Sequence, residues 1–305
     1  MRKLDSEAAA ARIAGIAVET PVLAALGLLL KLENRQHTGS FKLRGAANKL
    51  LALSEADRAR GVVAASTGNH GAAVAHAAAQ LGCRASVFAP ETAAASKLEK
   101  IRRLGAEVVL VPGDSVESER AARRHALRHG VAYVSPYNDE DVVEGQGTVA
   151  VELLRQVPAL GAVYVALGGG GLVAGVGLHF KERGEATEVV AVSPERSPVM
   201  HESLRQGRIL EMEVGPTLSD GTVGGVEEGS ITFELCRRAI DRSLLVTEEE
   251  IAAAMRAVFQ ATGEVIEGAA GVAVAGALRE RSARSVAVVV CGGNVTPDVW
   301  NRAIS

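Results

Sequence analysis

The hydrophobic pattern along this chain is an alternation of short β-branched runs with longer, alanine-rich amphipathic stretches. Brief apolar runs bounded by turn residues read as buried strands, and apolar positions at helical spacing read as helices. Leu28–Leu32 forms the first apolar run; a polar turn containing Gly39 follows, then an amphipathic helix through Leu50. Residues 61–65 predict a strand, and 70–81 a helix closed by Gly82 just past its C-terminus. A strand at 85–89, a helix around 96–104 stopped by Gly105, and a strand at Glu107–Val111 continue the alternation. A helix over Ser115–His129 and a strand at 131–134 complete this half.

The second half repeats the pattern with different punctuation. A helix over 142–155 precedes a strand at Ala162–Ala166, which runs into a glycine cluster, a helix to about Arg183 and a strand at 188–192. Residues 193–228 are rich in Gly, Pro and Ser and read as an irregular segment that lines a site. Helices around 231–240, 248–261 and 269–279 lead to a last strand at 285–290. Strands alternating with helices call for parallel sheets with right-handed crossovers, hence an α/β fold. The length of 305 residues allows two domains, and the pattern places a small one at 46–135.

Composition narrows the class of protein. With 48% apolar and 23% charged residues the chain is of the soluble globular type. A net charge of −3 with both signs interspersed lacks the clustered basic face that binds nucleic acid. No apolar run is long enough for a membrane span and the N-terminus lacks a signal-peptide core, so a cytoplasmic protein is expected. Cys83, Cys236 and Cys291 are odd in number and the cysteines and histidines show no metal-type spacing, so neither disulfides nor a metal site is expected.

Four segments carry candidate chemistry, each at a strand or helix end. Lys42 stands between Phe41 and Leu43 where a turn becomes a helix. A lysine there is either a surface residue with its stem along apolar neighbours or a desolvated nucleophilic amine able to form a Schiff base. Gly168, Gly169, Gly170 and Gly171, then Leu172, lie between a strand and a helix. Such a run is either a flexible hinge or a set of backbone amides converging on a phosphate at a helix N-terminus, and the context favours the phosphate. Ser66-Thr67-Gly68-Asn69-His70-Gly71 occupies a similar junction, where its polar side chains either cap the helix or bind a carboxylate or phenolic oxygen. Cys291-Gly292-Gly293-Asn294 follows the last strand at the end where open α/β sheets bind ligands, although Cys291 alone reads as a small buried hydrophobe.

Taken together and in this order, Thr38-Gly-Ser-Phe-Lys-x-Arg-Gly45, Ser66–Gly71, Gly168–Leu172 and Cys291–Asn294 resemble the fold-type II pyridoxal-phosphate enzymes, in particular the threonine/serine dehydratase and serine racemase group. The resemblance runs from Thr20-Pro21 to Asn294. It implies two domains, each an open, mostly parallel sheet flanked by helices: a large cofactor-binding domain over 1–45 and 136–305, and a small one over 46–135. It further implies that Lys42 forms the Schiff base with pyridoxal 5'-phosphate, that Phe41 packs near the ring and that Asn69 bonds its phenolic oxygen. The backbone from Gly168 to Leu172 would hold the phosphate, and Cys291 would face the ring nitrogen. Ser66, Thr67, Gly68 and His70 would surround the substrate carboxylate.

Two departures bear on the activity. Where the group carries the carboxylates of a divalent-cation site, this chain has Ser193, Ser197 and Val199, with Glu195 a poor substitute, so no metal is expected. Thr67 stands where the racemases carry the serine that reprotonates the second face, and its extra methyl restricts χ1. The resemblance therefore implies elimination of water from a β-hydroxy amino acid to give a 2-oxo acid and ammonium, by a homodimer, with Lys42 as base and Thr67 beside it. The rivals are a serine racemase, a β-replacement synthase, or a non-catalytic binder of a phosphate ligand on the same fold. Residues 193–197 and 200–201, with 216–221, also resemble the dehydratases of hydroxyectoine utilisation.

Overall fold

In the computed structural model, which describes residues 2–280 and 285–304, the chain forms two sheets. It opens with α1 (Ser6–Ile13), the hairpin β1 (Val22–Ala25) and β2 (Leu28–Leu32), then α2 (Lys42–Ala52) and α3 (Glu55–Arg60). The next units are β3 (Val62–Ala65), α4 (Asn69–Gln80), β4 (Ala85–Pro90), α5 (Ala95–Arg103), β5 (Glu107–Val111), α6 (Ser115–His129) and β6 (Ala132–Tyr133). Then come α7 (Glu140–Gln156), β7 (Ala162–Ala166), α8 (Gly171–Glu182), β8 (Glu188–Pro194) and α9 (Val199–Gln206). The chain continues through α10 (Ile231–Ala239), β9 (Arg242–Val246), α11 (Glu248–Thr262), α12 (Gly268–Glu280), β10 (Val286–Val290) and α13 (Pro297–Ile304).

The smaller sheet has the order β5-β4-β3-β6 and is parallel throughout. The larger has the order β1-β2-β10-β7-β8-β9, parallel except for the β1–β2 hairpin. Its central strands β7 and β10 are buried along their whole length, as continuous β-branched runs require when helices cover both faces. The expected strands and helices are all found, with ends displaced by a few residues. One expectation is corrected: residues 193–228 are not irregular throughout, because α9 forms within them with Val199, Met200 and Ser203 buried. The histidine spacing is a second correction, because His125 and His129 stand four residues apart. They are an i, i+4 pair on α6 with rings stacked at 4.1 Å, although among the described residues no group of three or more His, Cys, Asp or Glu could hold a metal ion.

Two packing features fix α2, the helix that begins with Lys42. The first is a buried cluster of four charges, Lys31, Glu33, Arg44 and Glu152. Arg44 bonds Glu33 through Nε (2.7 Å) and Nη2 (2.8 Å), and Glu152 through Nη1 (2.6 Å) and Nη2 (2.8 Å). The Lys31 ammonium donates to Glu152, to the Thr20 carbonyl (2.7 Å) and to Gln156 Oε1 (2.9 Å). Burial alone would raise the Glu33 carboxyl, but Arg44 outweighs it and holds that group below the ordinary carboxylate range. The second feature is a pair of close helix crossings. A Cβ on Gly145 of α7 would lie 2.7 Å from Gly45 Cα, and one on Gly175 of α8 would lie 2.7 Å from Gly147 N. Helices α2, α7 and α8 therefore stack at backbone contact.

Removing one member of a buried, mutually neutralising charge set leaves its partners uncompensated, which costs about 3–5 kcal/mol. Arg44→Met should lower the unfolding free energy by about that much in urea titrations. A loss under roughly 1 kcal/mol would show that the cluster does not hold α2.

Candidate active site

Lys42 is the first residue of α2, and the turn before it is bonded to the loop after β10. Phe41 N–H donates to the Cys291 carbonyl (3.0 Å), Gly293 N–H donates to the Gly39 carbonyl (3.0 Å), and Ser40 bridges Gly292. The first and last motifs of the sequence thus form one wall. The Lys42 amine donates to the Pro136 carbonyl at 2.7 Å and lies 5.1 Å from the centre of the Phe41 ring. Among the described residues no carboxylate forms an ion pair with it. Burial lowers its pKa to about 8, with Cys291 and Glu267 acting in the opposite sense. The contrast with Lys31 is informative, because that ammonium is fully buried yet donates to a carboxylate.

The residue after Pro136 connects this lysine to the glycine loop. Gly169 and Gly171 lie against Tyr137, where added Cβ atoms would sit 2.6 Å from the ring and 3.1 Å from Tyr137 Cα. Gly168 faces Thr222 (2.8 Å by the same test). Gly170, with φ +86, caps α8 and faces the Cys236 sulfur (2.6 Å). No side chain caps this helix, and its first amides have no intrahelical partner. The result is a run of backbone amides at a helix N-terminus, packed so closely on Tyr137, Thr222 and Cys236 that no side chain fits at these positions without displacing them.

Residues 66–70 join β3 to α4. The helix is capped by Gly68 and no side chain serves as its cap, so the capping alternative for Ser66, Thr67 and Asn69 does not apply. Ser66 Oγ accepts from Gly68 N–H (3.1 Å), and the amides opening α4 remain available to an anion. His70 is buried, its Nε2 lying 2.8 Å from the Val134 carbonyl and therefore carrying the proton. Burial, with Lys42 adding to it, lowers the His70 pKa to about 3, so the ring is neutral.

Glu267 and Tyr137 were not anticipated from the sequence. Glu267 accepts from both ends of a small network: Asn69 Nδ2 at 2.9 and 3.0 Å, and the Asn294 amide at 3.2 Å. Burial raises this carboxyl to about 6, against the lowering effects of Asn69, Asn294 and Lys42. Glu267 immediately precedes α12, and nothing in the local sequence marks it as the partner of Asn69 and Asn294. Cys291 is buried, and burial, reinforced by Glu267, drives its thiol well above the ordinary range, so it is protonated. Lys42, Phe41, Asn69, His70 and Cys291 are thus brought together. Ser193 and Ser197 lie outside this group; Ser193 Oγ donates to the Leu167 carbonyl (2.9 Å), and Glu195 is exposed.

The pyridoxal-phosphate dependent enzyme family model matches residues 13–292. The chain belongs to this family. It is 42% identical over 280 residues to an L-threonine ammonia-lyase of Thermotoga maritima, covering 91% of this chain and 70% of that protein. Among solved structures, processed threonine deaminase isoform 2 of Solanum lycopersicum superposes with a TM-score of 0.93 at 30% identity, covering 98% of this chain and 91% of that one. Maize serine racemase gives 0.91 at 30% identity, covering 98% and 95%.

The residues present in this family member fit pyridoxal phosphate. The glycine cradle suits the phosphate, and a buried amine with a lowered pKa suits the aldehyde. An amide nitrogen on Asn69 and a neutral thiol on Cys291 suit the polar edges of the ring. Gly170→Ala would force a left-handed residue and a clash with Cys236, a strain of about 1–3 kcal/mol. Holoenzyme carrying this change should lose cofactor on dialysis about tenfold faster or more than wild type. Equal retention would remove the loop from the phosphate site.

Proposed function

We propose that this protein is a pyridoxal-phosphate-dependent ammonia-lyase that removes water from a β-hydroxy amino acid of the threonine/serine type. The products are a 2-oxo acid and ammonium. The observation that carries the reading is Lys42: a desolvated amine without a carboxylate partner, set beside an anion cradle, in a chain 42% identical to a threonine ammonia-lyase. When bound, pyridoxal phosphate supplies an aldehyde for the substrate amine and a conjugated ring that withdraws electrons from Cα. The amides from Gly168 to Leu172 hold the phosphate, and Phe41 packs beside Lys42. The opening of α4, with Ser66, Thr67 and Gly68, receives the substrate carboxylate.

His70 contributes a neutral ring to that wall, because its Nε2 is committed to Val134 and its pKa of about 3 leaves no charge at neutral pH. The Lys42 amine, whose pKa burial lowers to about 8, takes the Cα proton. The Cβ hydroxyl leaves as water with the equivalent of the proton that Lys42 has taken, and the released enamine takes water back in solution to give the 2-oxo acid and ammonium. Cys291 presents a neutral thiol rather than a carboxylate to the ring edge, which supports elimination over prolonged carbanion chemistry. Thr67 supplies the hydroxyl that a racemase would need, so racemisation is the second reading. Residues 46–135 are proposed as a small domain and 1–45 with 136–305 as a large one. In support, β3 and β4 pack in a different hydrophobic cluster from β7, β8 and β10. A homodimer and a cytoplasmic location follow the family resemblance. Among the described residues no helix is long and apolar enough to cross a membrane.

Lys42→Ala should remain folded by circular dichroism and lose at least about 1,000-fold in ammonium release from threonine or serine. Retained turnover by the folded, cofactor-loaded variant would overturn the assignment. EDTA should leave wild-type activity and melting temperature unchanged, since Ser193, Ser197 and Val199 supply no hard anionic ligands. A loss restored by Mg²⁺ or Ca²⁺ would contradict the metal-free reading.

A further inference from the structure

Glu267 is a buried carboxylate that the reaction described above leaves unused. Its place is closely fixed. The Glu267 N–H donates to the Gly292 carbonyl at 3.0 Å. Oε1 accepts from Asn69 Nδ2 at 2.9 Å, and Oε2 accepts from Asn69 Nδ2 at 3.0 Å and from the Asn294 N–H at 3.2 Å. A Cβ on Gly292 would lie 2.7 Å from Oε1 and 2.8 Å from Oε2, so the carboxylate rests on the backbone of that residue. Gly292 is bridged to Ser40, and the Phe41 N–H donates to the Cys291 carbonyl. One loop therefore holds both this carboxylate and the turn that presents Lys42.

The donors to Glu267 are all neutral. Among the described residues no cation forms an ion pair with it, whereas Glu33 and Glu152 are each bonded to Arg44. A carboxylate buried among neutral amides retains much of its desolvation cost. Lys42 is its counterpart, a buried amine with no carboxylate in contact. Opposite charges in one dry site act on each other beyond contact distance, because little water screens them. Burial lowers the Lys42 amine to about 8, and Cys291 and Glu267 act against it. The thiol is protonated and neutral, which leaves the carboxylate as the charge that opposes burial. The other titratable groups around the pair are His70 on α4, a neutral ring, Lys100 on α5, which is exposed, and Asp220, which raises the Glu267 carboxyl.

We propose that Glu267 is a positioning residue which, acting through Lys42, supplies the negative charge that holds a proton on the Lys42 nitrogen, both at rest and after that nitrogen has taken the Cα proton. This rests on the reading of the site as a pyridoxal-phosphate site. At neutral pH the carboxylate itself neither gives nor takes the proton, which passes from Cα to Lys42 and leaves with the hydroxyl as water. A carboxylate serving only as a clamp between Asn69 and Asn294 would affect stability and leave the ionisation of Lys42 unchanged.

The test compares holoenzyme of wild type, Glu267→Gln and Glu267→Asp. Glutamine removes the charge, yet its one oxygen, set at the Oε2 position, can accept from both Asn69 and Asn294. Aspartate keeps the charge and gives up reach. The readouts are a pH titration of the visible absorption band and the melting temperature. A cofactor joined to Lys42 absorbs at longer wavelength while the joining nitrogen keeps its proton, so the titration reports that proton directly. Glu267→Gln should lose the long-wavelength form at a pH lower by about one unit, about tenfold in proton affinity. Glu267→Asp should titrate close to wild type while melting lower. A titration of Glu267→Gln that coincides with wild type would overturn the proposal in favour of a clamp. So would a shift in Glu267→Asp as large as that in Glu267→Gln. Wild type alone supplies a further check, because Glu267, raised by burial to about 6, should take a proton on the acid side of neutrality and perturb the band there. A wild-type band constant from about pH 5 to 7 would overturn the proposal even if neither variant folds. A wild-type protein with no borohydride-sensitive visible band would instead overturn the underlying cofactor reading, and the proposal with it.

Discussion

The geometry of this protein depends on the pairing of Arg44 with Glu33 and Glu152 beneath the first turn of α2. Only Leu43 separates Arg44 from Lys42, so whatever anchors the guanidinium also anchors the amine. A buried charge set of this kind is a weak source of stability and a strong source of definition, because each member is intolerable without the others. Lys31 shows what the same interior does with a lysine whose role is structural: it surrounds the ammonium with a carboxylate, a carbonyl and an amide. Lys42 receives one backbone carbonyl and the face of the Phe41 ring. Burial lowers the pKa of both lysines, but Lys31 is set against a carboxylate whereas Lys42, among the described residues, is ion-paired to none.

From α2 the constraint travels through backbone contacts. Gly45 against Gly145, and Gly147 against Gly175, bring α2, α7 and α8 to distances that side chains would prevent. The amine at the start of α2 and the amide cradle at the start of α8 are therefore held by one rigid stack. The remaining wall, at the start of α4, belongs to the smaller sheet and meets the stack through Asn69, Glu267 and Asn294. On the proposed reading, the rigid stack would hold the cofactor at Lys42 and the glycine loop, with the hydrogen-bonded seam beside it. This division suits an enzyme that must keep a cofactor while admitting and releasing small molecules.

Much of this was legible in the sequence because it rests on local signals. The β-branched runs at Ala162–Ala166 and Glu107–Val111 have lengths and punctuation that fit strands, and the glycine cluster marks the junction of a strand with a helix N-terminus. What stayed hidden depends on tertiary contact. Lys31 lies within the apolar run Leu28–Leu32, and nothing nearby in the sequence reveals Glu152 as its partner. The short edge strand β9 mixes Arg242 and Ser243 with leucines and shows no clean alternation, since its residues are only partly buried. Helix α9 was obscured by flanking Pro and Gly residues, although Val199, Met200 and Ser203 share one buried face. Glu267 and Tyr137 acquire meaning only from what the fold sets opposite them.

The claim on which the rest stands is that Lys42, among all the lysines, is the residue that captures pyridoxal phosphate. Borohydride reduction of the purified holoenzyme, followed by proteolysis and peptide mass spectrometry, tests it directly. The account predicts one pyridoxyl-modified peptide, carrying the label on Lys42 at near-stoichiometric yield, with Lys31, Lys49, Lys97 and Lys100 unlabelled. A label distributed over the exposed lysines, or concentrated at any position other than 42, would contradict it.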